Sequence, residues 1–466
     1  MASFARHPSH PYNRHSYNPN PPPPPPPPLH HHHQYGQNME MQQQLPPQSR
    51  GQDFGKIGGD ATSLIPDPEI TGPRRHGCNP FRAIVIILRS SSSLGACTNV
   101  LLPFVPIGLL LHWWKRELHL WIFLANYLAM IPMANLLAFS SAQFSSRLPR
   151  VFGVFVQLTV ASAVELILCL GLLFKHEFEV IQAALLGSML ANLLLCTGLC
   201  FIVGGIRKKA QEFSEAVVET SGGLLLVSVA ALMLPAAFYE SVSAIGRLTP
   251  KALDHRILYI SRFSAVLLLI AYVTYLFFQL ATHHSEFDEA LAESEQRKKV
   301  RANIRRENLT MAEAGLVMLV SLALVTLHAI FMVEQIPFIV GEHKHISEAF
   351  MGLILVPLVE KAAEHLKGID EAWNDAMDFA LSHLLGSTIQ TALLVSPIIV
   401  LVGWIAHKPF SLNFEIFMII VLVFSVLIVG NFIKDRKSNY FEGALCVIFY
   451  VMIAVTAWNY PGPPRE

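Results

Sequence analysis

The chain has 466 residues, 52% of them hydrophobic and 15% charged, where a soluble domain carries about 25% charged residues. That composition argues against an ordinary water-soluble domain and for an integral membrane protein. Formal charge balances at zero, so no polyanionic partner such as a nucleic acid is implied.

Residues 1–90 are compositionally apart, with Pro21 to Pro28, His30 to His33 and many Gln, Asn and Ser. They hold too little apolar surface to fold, and we expect a disordered cytosolic tail, extended at the proline run. The histidines read as low-complexity drift more readily than as a metal site.

From residue 94 onward, apolar blocks of the length that spans a hydrocarbon core alternate with short polar links. They run over about 94–113, 118–139, 151–173, 179–204, 217–239, 257–281, 311–333, 347–366, 377–405, 412–431 and 441–459. The expected fold is therefore all-α and integral to the lipid bilayer, with about eleven transmembrane helices. Basic residues collect in alternate links, at Arg147 and Arg150, Arg207 to Lys209, Arg297 to Arg306, and Lys434 to Lys437. The positive-inside rule then predicts a cytosolic N-terminus and a C-terminus across the membrane. The six cysteines, Cys78, Cys97, Cys169, Cys196, Cys200 and Cys446, form no CxxC pair and read as small apolar residues.

The chain repeats itself. A shift of 199 residues lays AVELILCLGLLFKHEFEVIQAALLGSMLANLLLCTG over AAEHLKGIDEAWNDAMDFALSHLLGSTIQTALLVSP without a gap, matching Glu165 to Glu364 and Leu185-Leu186-Gly187-Ser188 to Leu384-Leu385-Gly386-Ser387. Two halves of five helices each, 118–281 and 311–460, separated by an odd number of crossings, give an inverted repeat. The helix at 94–113 and the charged loop 282–310 are additions to it.

A carboxylate deep in the membrane costs about 2.5 to 3.5 kcal/mol on insertion scales, so Glu165 is a functional candidate by default. The alternative is a structural carboxylate paired with a buried basic residue. Inverted helices would bring Glu165 and Glu364 to the midplane from opposite sides, as cation and proton ligands. Such a pair suits a hard divalent ion, and like charges favour uptake of protons once the ion leaves. Ser188, Ser387, Asn192 and Gln390 offer neutral oxygens. Gly187 and Gly386 would allow helix breaks, with freed carbonyls toward the ion, or close packing.

The two segments AVELI…FEVIQAALLGSMLANLLLCTG and AAEHL…MDFALSHLLGSTIQTALLVSP resemble the signature repeats of the calcium/proton exchanger (CAX) family of cation/calcium antiporters. NVLLPFVPIGLLL, ISRFSAVLLLIAYVTYLFFQLATH and KSNYFEGALCVIFYVMIA extend the resemblance over about 94–460. It implies an eleven-helix endomembrane antiporter, typically vacuolar, that exchanges cytosolic Ca2+ for protons without a cofactor and is not an enzyme. In such a protein the residues matching Glu165 and Glu364 bind the ion.

The match departs from the family at the site itself. Where the family has GNA before each glutamate, this chain has Ala161-Ser162-Ala163 and Glu360-Lys361-Ala362; Gln157 replaces a family asparagine, and Ser140-Ser141-Ala142-Gln143-Phe144 replaces an acidic patch. Lys361, three residues before Glu364, either faces the site, where its ammonium fills charge space that a divalent ion needs, or snorkels to the membrane surface. Glu360 would restore the balance, and Ser162 and His365 are further candidate modulators. Ca2+/H+ antiport is the leading reading. A monovalent or Mn2+ exchanger with a retuned site, or a non-transporting regulatory paralogue, are the alternatives.

Overall fold

The computed structural model describes residues 98–148, 150–246, 248–279, 309–342 and 347–460. The tail 1–90, Cys78, Cys97 and the loop as far as residue 308 lie outside them.

Helix α1 (Phe104–Trp114) follows a single 3-10 turn, Asn99–Leu101. Pro103 and Pro106 stand at its start, where a backbone N–H would have no partner within the helix. In chain order come α2 (His119–Ser145), α3 (Arg150–Lys175), α4 (Phe178–Arg207), α5 (Glu215–Ile245), α6 (Pro250–Phe277), α7 (Met311–Glu342), α8 (348–373), α9 (Met377–Ile405), α10 (Ile416–Ile433) and α11 (Tyr440–Trp458). Among the described residues nine of these are long and apolar enough to cross a membrane. Helix α1 is shorter, and α8 is interrupted. Several helices outrun their apolar blocks: α5 continues to Ile245 and stops only at Gly246, whose φ of 67° places it in the left-handed region that glycine adopts freely. Hydropathy marks the stretch that suits lipid, and a helix can continue beyond it into polar sequence.

The described residues also include two short strands. Gln211–Glu212 (β1) pairs antiparallel with Lys437–Ser438 (β2), tying the segment after α4 to the segment after α10.

The repeat is visible in the backbone as well as in the sequence. Helix α4 contains a π-helical turn at Ala191–Cys196 and α9 another at Thr391–Val395. Each such turn is braced by a hydroxyl. Thr197 Oγ1 donates to the Asn192 carbonyl at 2.9 Å, and Ser396 Oγ to the Thr391 carbonyl at 2.8 Å. Both pairs are 199 residues apart. The turns before α4 and α9 also match, with His176 at φ 66° and Asp375 at φ 63°, residue types that tolerate the left-handed region.

Helices α4 and α9 run antiparallel. Past the end of α4, Lys208 pairs with Asp375 at 2.5 Å, just before α9 begins. At the start of α4, His176 meets Lys408, beyond the end of α9, at 2.5 Å, and Gln182 Nε2 donates to the Ser411 carbonyl at 2.9 Å. Two thirds of the apolar window of each is buried, against 28% for α6 and α11. These two helices are the centre of the bundle. The crossing of α4 with α11 is held by glycines: a Cβ on Gly198 would stand 2.8 Å from the Gly443 carbonyl oxygen. At α2 and α7, which open the two halves, the buried Asn126 and His328 meet at 2.7 Å.

Helix α8 breaks the symmetry. Its first part, 348–360, contains a π-helical turn at Met351–Leu355; the second, Ala362–Trp373, begins after Lys361, whose φ of −90° and ψ of 7° are not helical. Pro357 has no N–H to give the Leu353 carbonyl, so the helical ladder is interrupted there. The matching position in α3 is Leu158, and α3 is continuous.

Candidate cation site

Glu165 lies at mid-length in α3, 2% exposed, and Glu364 in the first turn of the second part of α8. The repeat brings them to one place, and a single nitrogen touches both. Lys361 Nζ donates to Glu165 Oε2 at 2.9 Å and lies 3.5 Å from Glu364 Oε1. It also reaches Ser387 Oγ at 3.4 Å. With 3% of its side chain exposed, Lys361 does not snorkel. The break in α8 sets its stem among the carboxylates, and the reading in which it faces the site is the one the structure takes.

Neutral groups complete the ring. Ser188 Oγ donates to Glu165 Oε1 at 2.8 Å, within its own half. From the opposite half, Thr391 Oγ1 donates to Glu165 Oε2 at 2.9 Å. Asn192 Nδ2 reaches Glu364 Oε2 at 3.3 Å and Ser387 Oγ at 3.1 Å. The halves are therefore cross-linked at the site. Among the described residues Asn192 Oδ1 is buried with no hydrogen-bond partner, an acceptor oxygen free to face a cation.

Side-chain chemistry in the sequence points to Gln390 and not to its neighbour Thr391. Gln390 does not reach either glutamate and instead accepts from Ser162 Oγ at 2.8 Å. The pointer to Thr391 was the repeat itself, because the 199-residue offset sets Thr391 on Asn192, whereas choosing by amide chemistry selects its neighbour.

The expected helix breaks at Gly187 and Gly386 are absent, and α4 and α9 pass both glycines without interruption. The carbonyls displaced one turn later, those of Asn192 and Thr391, accept from Thr197 and Ser396. Gly187 is a packing glycine: a Cβ there would collide with the Leu353 carbonyl that Pro357 leaves free. Gly386 has no heavy atom within 4 Å of such a Cβ, so it neither breaks the helix nor packs tightly.

A cavity of about 70 Å3 leads from the site and is lined by Glu360, Lys361, Glu364, Gln157, Ser141 and His383. Its wall thus includes two positions, Gln157 and Ser141, at which the sequence leaves the family pattern. Glu360 is 8% exposed, and neither carboxylate oxygen has a hydrogen-bond partner among the described residues. His365 is buried too, with Nε2 unpartnered, and its carbonyl accepts from Cys196 Sγ at 3.8 Å. The cysteines Cys169, Cys196, Cys200 and Cys446 are free and buried.

Two carboxylates from opposite halves, with hydroxyl and amide oxygens around them, make an all-oxygen donor set of the kind that hard cations take. The present occupant is an ammonium carried by the chain itself.

Residues 118–281 and 314–459 match the sodium/calcium exchanger protein family. The chain is 33% identical over 378 residues to a vacuolar calcium ion transporter of Schizosaccharomyces pombe, covering 81% of this chain and 88% of that protein. It is 31% identical over 420 residues to vacuolar cation/proton exchanger 2 of Oryza sativa subsp. japonica, covering 88% and 90%. Its fold is similar to that of native YfkE, with a TM-score of 0.63 at 24% identity over 81% of this chain and all of that one.

Proposed function

Because the chain belongs to the sodium/calcium exchanger protein family, and within it to the calcium/proton exchanger group, we propose that it is a secondary antiporter moving Ca2+ out of the cytosol in exchange for protons. The membrane is an endomembrane, the vacuolar one by likeness to relatives of that name. The basic ends of α4 and α10 support a cytosolic face there, an N-terminus on the same side and a C-terminus in the lumen.

One observation carries the reading: Glu165 and Glu364, each from one half, converge on a single positive charge between them. In this reading they hold the ion and the returning protons. Ser188, Ser387, Asn192 and Thr391 add neutral oxygens, and Gln390 and Ser162 brace the surrounding helices. Rocking of one half against the other would open this centre to each side in turn. A structural ion pair explains less, since it needs one carboxylate for its lysine and here three line up beside it.

Ca2+ uptake into proteoliposomes under an imposed proton gradient tests this. Glu165→Gln and Glu364→Gln should each abolish uptake while the purified protein remains folded; uptake that survives both overturns the site. The ammonium in the centre favours a second reading, exchange of a monovalent cation, which predicts that Na+ or K+ is carried in place of Ca2+ in the same assay; carriage of Mn2+ in its place would mean a retuned divalent site instead.

A further inference from the structure

Lys361 and an incoming ion cannot share the centre. A calcium ion needs oxygens at about 2.3 to 2.6 Å, and Lys361 Nζ already stands 2.9 Å from Glu165 Oε2 and 3.5 Å from Glu364 Oε1. The ammonium has to leave when the ion arrives. It cannot be left buried and unpaired, because an isolated charge in a membrane interior is too costly.

The structure holds a second oddity beside it. Glu360 is buried with both carboxylate oxygens unpartnered among the described residues, and it lines the same cavity as Lys361 and Glu364. A buried carboxylate without a partner calls for an explanation. Each of these two groups supplies what the other lacks. We infer that Lys361 is a tethered counter-cation: its ammonium holds Glu165 and Glu364 in the empty carrier, and Glu360 is the carboxylate that receives it when the transported ion enters.

The charges support this. With the ion bound, Glu360 paired to the lysine cancels its charge and leaves Glu165 and Glu364 to balance one divalent ion. The lysine stem is long and flexible, and Lys361 sits at the non-helical joint in α8. Among the described residues the other charged or titratable groups near the path are Lys367, His365, His383 and Cys169, and none of them offers the ammonium a carboxylate.

The inference rests on the cation site of the proposed function and deepens it, and it is tested by binding before transport. Ca2+ affinity of the purified full-length protein is measured by titration calorimetry for the wild type, Glu360→Gln, Lys361→Gln and the double variant. Lys361→Gln should tighten binding at least tenfold. Glu360→Gln should weaken it at least tenfold in the wild type, yet change it less than threefold when Lys361 is already glutamine. Equal losses in both backgrounds would mean that Glu360 acts on the ion directly and would overturn the inference. So would the absence of tighter binding in Lys361→Gln, which needs no Glu360 variant to fold; Glu360→Asp, which keeps the charge and shortens its reach, is the second check. Exchange by the wild type without this coupling removes the inference and leaves the antiporter reading. Coupling in a protein that exchanges nothing does the reverse.

Discussion

Thr391 illustrates what a single residue contributes to this centre. Its hydroxyl, from the second half, donates to the carboxylate of the first at 2.9 Å, holding Glu165 in place and offering an oxygen of its own. A hydrogen bond to a charged group contributes about 1.5 to 3 kcal/mol. Thr391→Val is therefore expected to raise the Ca2+ concentration for half-maximal uptake by roughly tenfold or more, and Thr391→Ser to recover most of the loss. No change in that concentration would place Thr391 outside the centre. At this scale the sequence names most of the residues that meet here and one that does not. Glu165, Glu364, Ser188, Ser387 and Asn192 are brought together, and Gln390 is not, because it accepts from Ser162 on α3 instead. Which partner lies across the interface leaves no mark in residue type. Lys361 had two readings in the sequence, and only its buried position between the glutamates chose one.

At the scale of the helix, the two LLGS segments are alike in sequence and unlike in surroundings. Gly187 faces the carbonyl of Leu353 across the interface of α4 with α8, whereas Gly386 faces open space. Gly187→Ala is expected to destabilise the protein by about 1 to 3 kcal/mol through overpacking, lowering the unfolding temperature in detergent. Gly386→Ala should leave that temperature unchanged. Similar losses from both would mean that the glycines act through helix flexibility and not packing. The asymmetry begins at Pro357, which interrupts α8 and frees Leu353, while its counterpart Leu158 leaves α3 whole. A proline in an apolar block is legible as a break. Which carbonyl it frees, and which neighbouring helix must then be bare to receive it, is a matter of packing.

Across the whole molecule the antiparallel course of α4 and α9 puts His176 and Asp375 at opposite ends of the bundle, although the repeat makes them equivalent. In a background without native cysteines, His176→Cys and Asp375→Cys should react with a membrane-impermeant thiol reagent from opposite sides of sealed vesicles, Asp375→Cys from the cytosolic side. Labelling of both from one side would refute the inverted arrangement. The sequence by itself determined that the chain is an integral membrane bundle of apolar helices, that it contains two related halves, and that each half carries one carboxylate at the same place. Those follow from composition, block length and a fixed offset, all local or periodic properties of the chain. Only the tertiary structure decided what the centre contains: that Lys361 fills it, that Thr391 replaces Gln390, and that Glu360 stands beside it without a partner. The reason is physical. The first two depend on contacts between segments some 200 residues apart, and the third on what the packing leaves beside Glu360, neither of which the residue pattern encodes.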